Sequence, residues 1–183
     1  MKKRLLLTFI LFSLIIVSLP ITATAANYKK AYREEVNKFE LERGGSNKEC
    51  GYSLIYVDKD KTPELVCESR YMKDGSIVKS YFEFYTFRSG KIKCFSSCEY
   101  SRVGTGNNRP FYRPEKNLFG FRHWKVVSQW DDFYALKKGE LVHIRTKEYD
   151  KVSIYFLPLI HKCEWIYGQY SKKGILKRLK KLS

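Results

Sequence analysis

Three glycine turns of similar composition divide the middle of the chain into aromatic segments, and this repetition constrains the fold more than any other feature. The turns lie at 73–75, 88–90 and 136–139, and each is followed by a polar residue and then by Ile or Leu. Runs of aromatic and β-branched residues on both sides of such turns are typical of β-hairpins. The sequence between about residues 52 and 148 therefore predicts an antiparallel β-meander, arranged as a curled sheet or a partly open barrel.

Helices are predicted on both sides of the meander. Residues 27–43 place aromatic and apolar side chains at helical spacing between charged ones, with Asn27 as a candidate N-cap. At about 171–183, four apolar residues share one helical face, and the remaining positions are mostly basic. The sequence therefore predicts an α+β fold with an N-terminal amphipathic helix, the β-meander and a short basic C-terminal helix.

The first 25 residues have the composition of a secretory signal peptide. Three basic residues at positions 2–4 precede a long apolar run, and the small residues at 23–25 follow it. This order matches the charged region, the apolar region and the cleavage site of such a peptide. We expect cleavage after about Ala25, which leaves 26–183 as a single globular domain that is secreted and acts outside the cell.

The chain is strongly basic. Its formal net charge is +16, and +13 remains without the three charges at positions 2–4. An exported protein of this charge is expected to meet anionic partners: cell-wall polymers, acidic glycans or an anionic membrane surface. Nucleic acid is not an expected partner outside the cell. The alternative is that the charge only keeps the protein soluble.

Two groups of residues are candidates for such contacts. Aromatic rings can stack on sugars, and a basic amphipathic helix can lie on an anionic membrane. Alternatively, the C-terminal helix docks on the domain by its apolar stripe while its basic residues face water. The candidate binding residues are Trp124, Trp130, Lys177, Arg178, Lys180 and Lys181.

Five cysteines lie in the mature chain, at positions 50, 67, 94, 98 and 163. Export permits disulfides, and an odd number leaves at least one thiol unpaired or paired between chains. The spacing of Cys94 and Cys98 is not the C-x-x-C of a redox or zinc site. The sequence leaves the pairing open.

The segment "YVDKDKTPELVC" at 56–67 alternates oxygen-bearing side chains with other residues. Calcium loops use this alternation because a tight turn aims every second side chain at one point, and the ion takes six to eight oxygens. Asp58 and Asp60 are candidates to ligate directly, Thr62 through its backbone carbonyl, and Glu64 as the residue that closes the site.

The longer stretch "SLIYVDKDKTPELVC" resembles a degenerate D-x-D-x-x-P-E-L motif of uncharacterised secreted bacterial proteins, which is similar to EF-hand and integrin-repeat calcium loops. Tyr56 replaces the first acidic residue of that pattern, and Lys61 replaces its turn glycine. The resemblance therefore implies weak calcium binding, at millimolar affinity or none. The alternative is a vestigial loop in which Asp58 and Asp60 bond to the backbone and Glu64 pairs with a lysine. No other cofactor is expected.

No recognised catalytic motif surrounds the three histidines, at positions 123, 143 and 161. The best carboxylate pair for glycoside chemistry is in "WDD", Trp130 to Asp132, and its simpler interpretation is a strand end. The sequence therefore favours an exported, non-catalytic domain that binds anionic or glycan material at the cell envelope. The alternatives are a weak calcium-binding module and a small secreted hydrolase.

Overall fold

The computed structural model describes residues 20–58, 60–101, 107–125, 128–149 and 164–182. Within these ranges the chain forms two α-helices, α1 (Pro20–Arg43) and α2 (Lys172–Lys181), and a 3₁₀ turn at Pro114–Lys116. The strands are β1 (Lys48–Ile55), β2 (Glu64–Lys73), β3 (Ser76–Arg88), β4 (Lys91–Ser101), β5 (Asn107–Arg113), β6 (Leu118–Lys125), β7 (Ser128–Lys137), β8 (Glu140–Tyr149) and β9 (Glu164–Trp165). The predicted α+β class is confirmed, including the short basic C-terminal helix.

The described strands form two antiparallel sheets that are not closed into a barrel. The first sheet has the order β1-β2-β3-β4, and the second has the order β8-β7-β6-β5-β9. Apart from β9, neighbours in each sheet are neighbours in sequence, as a meander requires. The strands divide into two sheets because consecutive residues of β2, Leu65, Val66 and Cys67, are all buried. Both faces of the first sheet must therefore pack against another layer, and a single curled sheet would provide no such layers.

The three predicted glycine turns are confirmed as hairpin turns, which join β2 to β3, β3 to β4 and β7 to β8. Each contains two consecutive residues with positive φ, the second of them glycine. This geometry is that of the type I′ turn, whose twist matches that of the paired strands. The pairs are Asp74–Gly75, Ser89–Gly90 and Lys138–Gly139.

Both helices pack on one face of the first sheet. The core beneath them includes Tyr32 and Phe39 of α1, Tyr52 of β1, and Ile175 and Leu179 of α2, and each is at most 1% exposed. The C-terminal helix is thus docked on the domain by its apolar stripe, as the alternative interpretation expected.

The predicted signal peptide lies largely outside the described residues. From Pro20 onwards the backbone is helical, so Asn27 lies inside α1 and the prediction that it caps the helix is wrong for this chain. Alanines at 23, 25 and 26 favour helix before Asn27, which explains the longer α1. No helix among the described residues is long and apolar enough to cross a bilayer.

A second core lies between the two sheets. Phe84 of β3 meets Phe119 of β6 edge to face, with ring centroids 4.9 Å apart. Val66 and Leu136 are buried in the same cluster. The layers therefore follow the order helices, first sheet, second sheet. The second sheet has an inner face, which carries Phe119, and an opposite face, which we call the outer face.

The segment before α2 crosses β1 at close range. Tyr170 exchanges two backbone hydrogen bonds with Tyr52, both 2.9 Å long. Gly168 lies directly against Gly51, and a Cβ on either glycine would collide with the backbone of the other. The amide of Gly168 also donates to the buried carboxylate of Glu68 at 2.7 Å. These contacts fix the C-terminal part of the chain to the first sheet.

Four of the five cysteines are described, and none of these four is disulfide-bonded. Cys67 is buried in the core beneath the helices, whereas Cys94 is exposed on β4. Cys163 lies outside the described residues.

Candidate metal loop and aromatic surface

The loop between β1 and β2 is held by side chains that bond to its own backbone. Asp58 Oδ1 accepts a hydrogen bond from the amide of Asp60 at 2.9 Å, and Asp60 Oδ1 accepts one from the amide of Thr62 at 2.8 Å. Such bonds are typical of aspartate in turns. The carbonyl of Pro63 accepts from the hydroxyl of Tyr32 at 2.7 Å, which attaches the loop to α1.

The structure brings three of the four predicted ligands together. Asp58, Asp60 and Glu64 each offer a carboxylate oxygen, and these atoms lie within 4.8 Å of one another. A cluster of this size could hold a metal ion. Thr62 takes part through its amide, which donates to Asp60.

Arg88, at the end of β3, contacts the same carboxylates, and sequence analysis missed it. Its Nη2 contacts Asp58 Oδ2 and lies 3.2 Å from Asp60 Oδ2. The guanidinium therefore supplies positive charge at the position where a bound cation would supply it. The hairpin register held a usable signal: counting outwards from the turn at Asp74–Gly75 pairs Glu64 near Thr86, with Arg88 two residues further on.

Glu64 is almost fully buried, at 1% exposure, and this changes its charge. Burial raises its pKa to about 8, and the negative charges of Asp58 and Asp60 act in the same direction. Its Oε2 accepts from the amide of Val57 at 2.9 Å, and its Oε1 lies 3.4 Å from the hydroxyl of Thr86. No described lysine pairs with Glu64, so its expected ion pair is replaced by these two contacts. At neutral pH it is largely protonated and a poor ligand for a cation.

Trp124 lies on the outer face of the second sheet, within a set of stacked aromatic and arginine side chains. Its ring is 6.3 Å from that of Trp165 at an interplanar angle of 27°, and 6.3 Å from that of Tyr100. The guanidinium carbon of Arg109 lies 4.1 Å from the centre of the Trp165 ring and 5.6 Å from that of Tyr100. All four residues are partly exposed. We call Tyr100, Arg109, Trp124 and Trp165 the aromatic–arginine ladder.

A buried ion pair supports the ladder from the centre of the sheet. Arg122 donates two hydrogen bonds to Asp131, at 2.6 and 2.7 Å, and the hydroxyl of Tyr149 donates to the same carboxylate at 2.6 Å. Asp131 is completely buried, and the Arg122 guanidinium also lies 5.2 Å from the ring centre of Trp165. The paired charges are thus satisfied, and they hold one side of Trp165 in place.

The two acids of the "WDD" segment point to opposite faces of the sheet. Asp131 pairs with Arg122 on the outer face, whereas Asp132 lies on the inner face close to His123 and His143. The strand alternation that separates them prevents both carboxylates from facing one sugar ring. The hydrolase alternative therefore loses the carboxylate pair on which it was based.

The remaining candidate binding residues are distributed over other surfaces. Trp130 lies on the inner face of the second sheet, where its ring stacks on that of His123 at 4.9 Å. The basic side chains of α2 belong to the helical layer, on the opposite side of the first sheet from the ladder. The exposed basic side chains of α2 include Lys177, Arg178, Lys180 and Lys181. The structure therefore does not bring the two groups of candidate residues together.

No protein-family model, no curated protein and no solved structure matches the chain. The resemblance to secreted bacterial proteins with a calcium-like loop stays a prediction.

Proposed function

We propose that this protein is an exported, non-catalytic domain that binds anionic or glycan material at the cell envelope. We further propose that the aromatic–arginine ladder is its binding surface. One observation carries this proposal: partly exposed tryptophans, Trp124 and Trp165, stack beside each other on the outer face of the second sheet, with the guanidinium of Arg109 against Trp165.

The chemistry of the ladder suits an acidic sugar. The apolar C–H face of a pyranose ring can pack on an indole, while a guanidinium presents several N–H donors in one plane to a carboxylate or a phosphate. Stacking Arg109 on Trp165 restricts the side chain before any ligand arrives, so less conformational entropy is lost on binding. The ladder therefore offers contacts both to the apolar ring faces and to the anionic groups of such a ligand.

The charge of the whole chain supports the same partner class. A net charge of +13 after signal removal attracts anionic polymers over a distance comparable to the Debye length. The exposed basic residues of α2 add a second positive surface, which could meet a polymer or an anionic membrane that extends around the molecule.

Binding to purified cell-wall material tests the proposal. The purified protein should sediment with wall fragments at low salt and be released as salt rises. Trp165→Ala should weaken binding by about tenfold, which corresponds to roughly 1.4 kcal/mol, and Arg109→Gln should weaken it while reducing the salt dependence. The matched control is Lys73→Gln, which removes the same charge from an exposed position at the end of β2. Lys73→Gln should sediment like the wild type. The proposal is wrong if Trp165→Ala and Arg109→Gln also sediment like the wild type, or if the wild type does not sediment.

A weak calcium-binding module is the second candidate function. The three clustered carboxylates of Asp58, Asp60 and Glu64 favour it. Arg88 opposes it because its guanidinium competes with a cation for the same oxygens, and Glu64 opposes it because a protonated acid is a poor ligand. We therefore expect the natural chain to bind calcium only at concentrations above about 10 mM or not at all.

A further inference from the structure

We propose a second site, on the inner face of the second sheet, in which His123, Asp132 and His143 bind a divalent transition metal such as zinc. This site is separate from the acidic loop and from the ladder. It follows from two imidazoles, on the strands β6 and β8 that flank β7, which lie against the same carboxylate on β7. His123 Nε2 is 3.0 Å from Asp132 Oδ2, and His143 Nε2 is 3.6 Å from Asp132 Oδ1.

The hydrogen bonding of His123 leaves one nitrogen for an ion. Its Nδ1 lies 2.7 Å from Asn108 Oδ1, and an amide oxygen can only accept, so Nδ1 carries the proton in this arrangement. Its Nε2 is buried and faces the carboxylate of Asp132, whose Oδ2 is the polar atom 3.0 Å from it. A lone pair and a carboxylate oxygen repel each other at 3.0 Å unless a cation or a proton lies between them.

Two contacts fix the orientation of the His123 ring. The ring is stacked on Trp130, with an interplanar angle of 11°, which holds its plane fixed. An outer partner that accepts from the far nitrogen, as Asn108 does, is the usual companion of a metal-ligating histidine.

The spacing of the donor atoms is close to that of a zinc site. Zinc binds imidazole nitrogen and carboxylate oxygen at about 2.0–2.2 Å with tetrahedral geometry, so neighbouring ligand atoms are roughly 3.3 Å apart. The two imidazole-to-carboxylate distances, 3.0 and 3.6 Å, lie on either side of this value. Imidazole and carboxylate donors together suit zinc and its neighbours in the first transition row.

The three groups do not converge on one point in this conformation, and His143 is the group that can move. Asp58, Asp60 and Glu64 form the single set of three or more acidic, histidine or cysteine ligands that the described residues bring within 4.8 Å. The side chain of His143 is 50% exposed, and its Nε2 bonds to the hydroxyl of Thr146 at 3.1 Å. A turn of this ring towards Asp132 Oδ2 completes a site of two histidines and one carboxylate, with water able to fill the open position.

Zinc titration followed by NMR of the imidazole nitrogens tests the site in the purified protein. We expect one equivalent of zinc to shift the nitrogen signals of both His123 and His143. His143→Ala and Asp132→Asn should each weaken binding at least about tenfold, and Asn108→Ala by roughly tenfold to a hundredfold through loss of the outer partner. His143 is largely exposed, so its variant provides a test that does not depend on the fold.

Two control variants separate this site from other zinc ligands. Cys94→Ser removes the exposed thiol, and Asp60→Asn removes an acid of the loop, so both should bind zinc within about twofold of the wild type. The proposal is overturned if His143→Ala binds zinc like the wild type. It is also overturned if His123 carries protons on both nitrogens near neutral pH and its signals do not respond to zinc, because the cation between the two groups is then a proton.

Discussion

Replacing Arg88 by glutamine should convert the acidic loop into a calcium site. In the natural chain the guanidinium contacts Asp58 Oδ2 and lies 3.2 Å from Asp60 Oδ2, so a calcium ion would have to displace it. Arg88→Gln removes this positive charge and keeps a polar side chain of similar length. Without calcium, the side chain of Asp58, which is only 9% exposed, loses its ion pair, and we expect a destabilisation of about 1–3 kcal/mol.

Calcium should restore that stability in the variant. If the freed loop binds with a dissociation constant of about 1 mM, as loose extracellular sites do, then about 10 mM calcium stabilises the folded state by roughly 1.4 kcal/mol. For a domain of this size that corresponds to a rise in melting temperature of about 3–6 °C. The wild type should change by less than about 1 °C under the same conditions.

The assay is thermal unfolding with and without calcium, at equal ionic strength set by sodium chloride. Arg43→Gln is the matched control, because it breaks another partly exposed arginine–carboxylate pair, with Glu83, far from the loop. It should be destabilised without any calcium response. The reasoning is refuted if Arg88→Gln shows no calcium-dependent rise in melting temperature, or if the wild type shows a rise as large as that of the variant.

Three further predictions follow from burial and close packing. Glu64 holds its proton in the folded state up to pH about 8 and loses it near pH 4.5 in the unfolded chain, so its contribution to the free energy of unfolding is complete below pH 4.5 and is lost as the pH rises to about 8. Glu64→Gln should abolish this part of the fall in the free energy of unfolding with pH, as measured by urea denaturation. Gly168→Ala should lower the free energy of unfolding by about 3 kcal/mol or more, because its Cβ would meet the backbone of Gly51, and an unchanged denaturation midpoint would disprove the close contact. Cys94 is the exposed thiol among the four described ones, and although burial raises the pKa of both Cys94 and Cys98, it raises that of Cys98 to about 12. In a Cys163→Ser background, Cys94→Ser should therefore remove the fast phase of thiol labelling at pH about 8, and Cys98→Ser should leave it intact.

The hairpins were predictable because their signals are local. A turn such as Asp74–Gly75 needs two residues with positive φ. Glycine adopts positive φ readily, so its position in the sequence indicates where such a turn can form. The apolar stripe of α2 was equally readable, since Ile175 and Leu179 are four residues apart. The division into two sheets was harder to predict, because it depends on which faces of the strands meet a second layer.

The sequence alone identified only some of the residues of the candidate sites. Alternation identified the acids of the loop, but the residue that neutralises them, Arg88, is 28 residues from Asp60 and reaches them through strand register. The contact of His123 with Asp132 likewise joins two paired strands, β6 and β7, and neither strand alone indicates which side chains share a face.

By itself, the sequence determined the class of the fold, the positions of the confirmed turns and the docked amphipathic stripe of α2. These features depend on φ preferences and on spacings of two to four residues, which act within a single element. Only the tertiary structure decided that an arginine occupies the calcium-like loop, that the two acids at 131 and 132 face opposite ways, and that aromatic rings from β4, β6 and β9 form one ladder. The reason is that charge neutralisation and ring stacking act through space at about 3–6 Å, and the folded register determines which distant residues come that close.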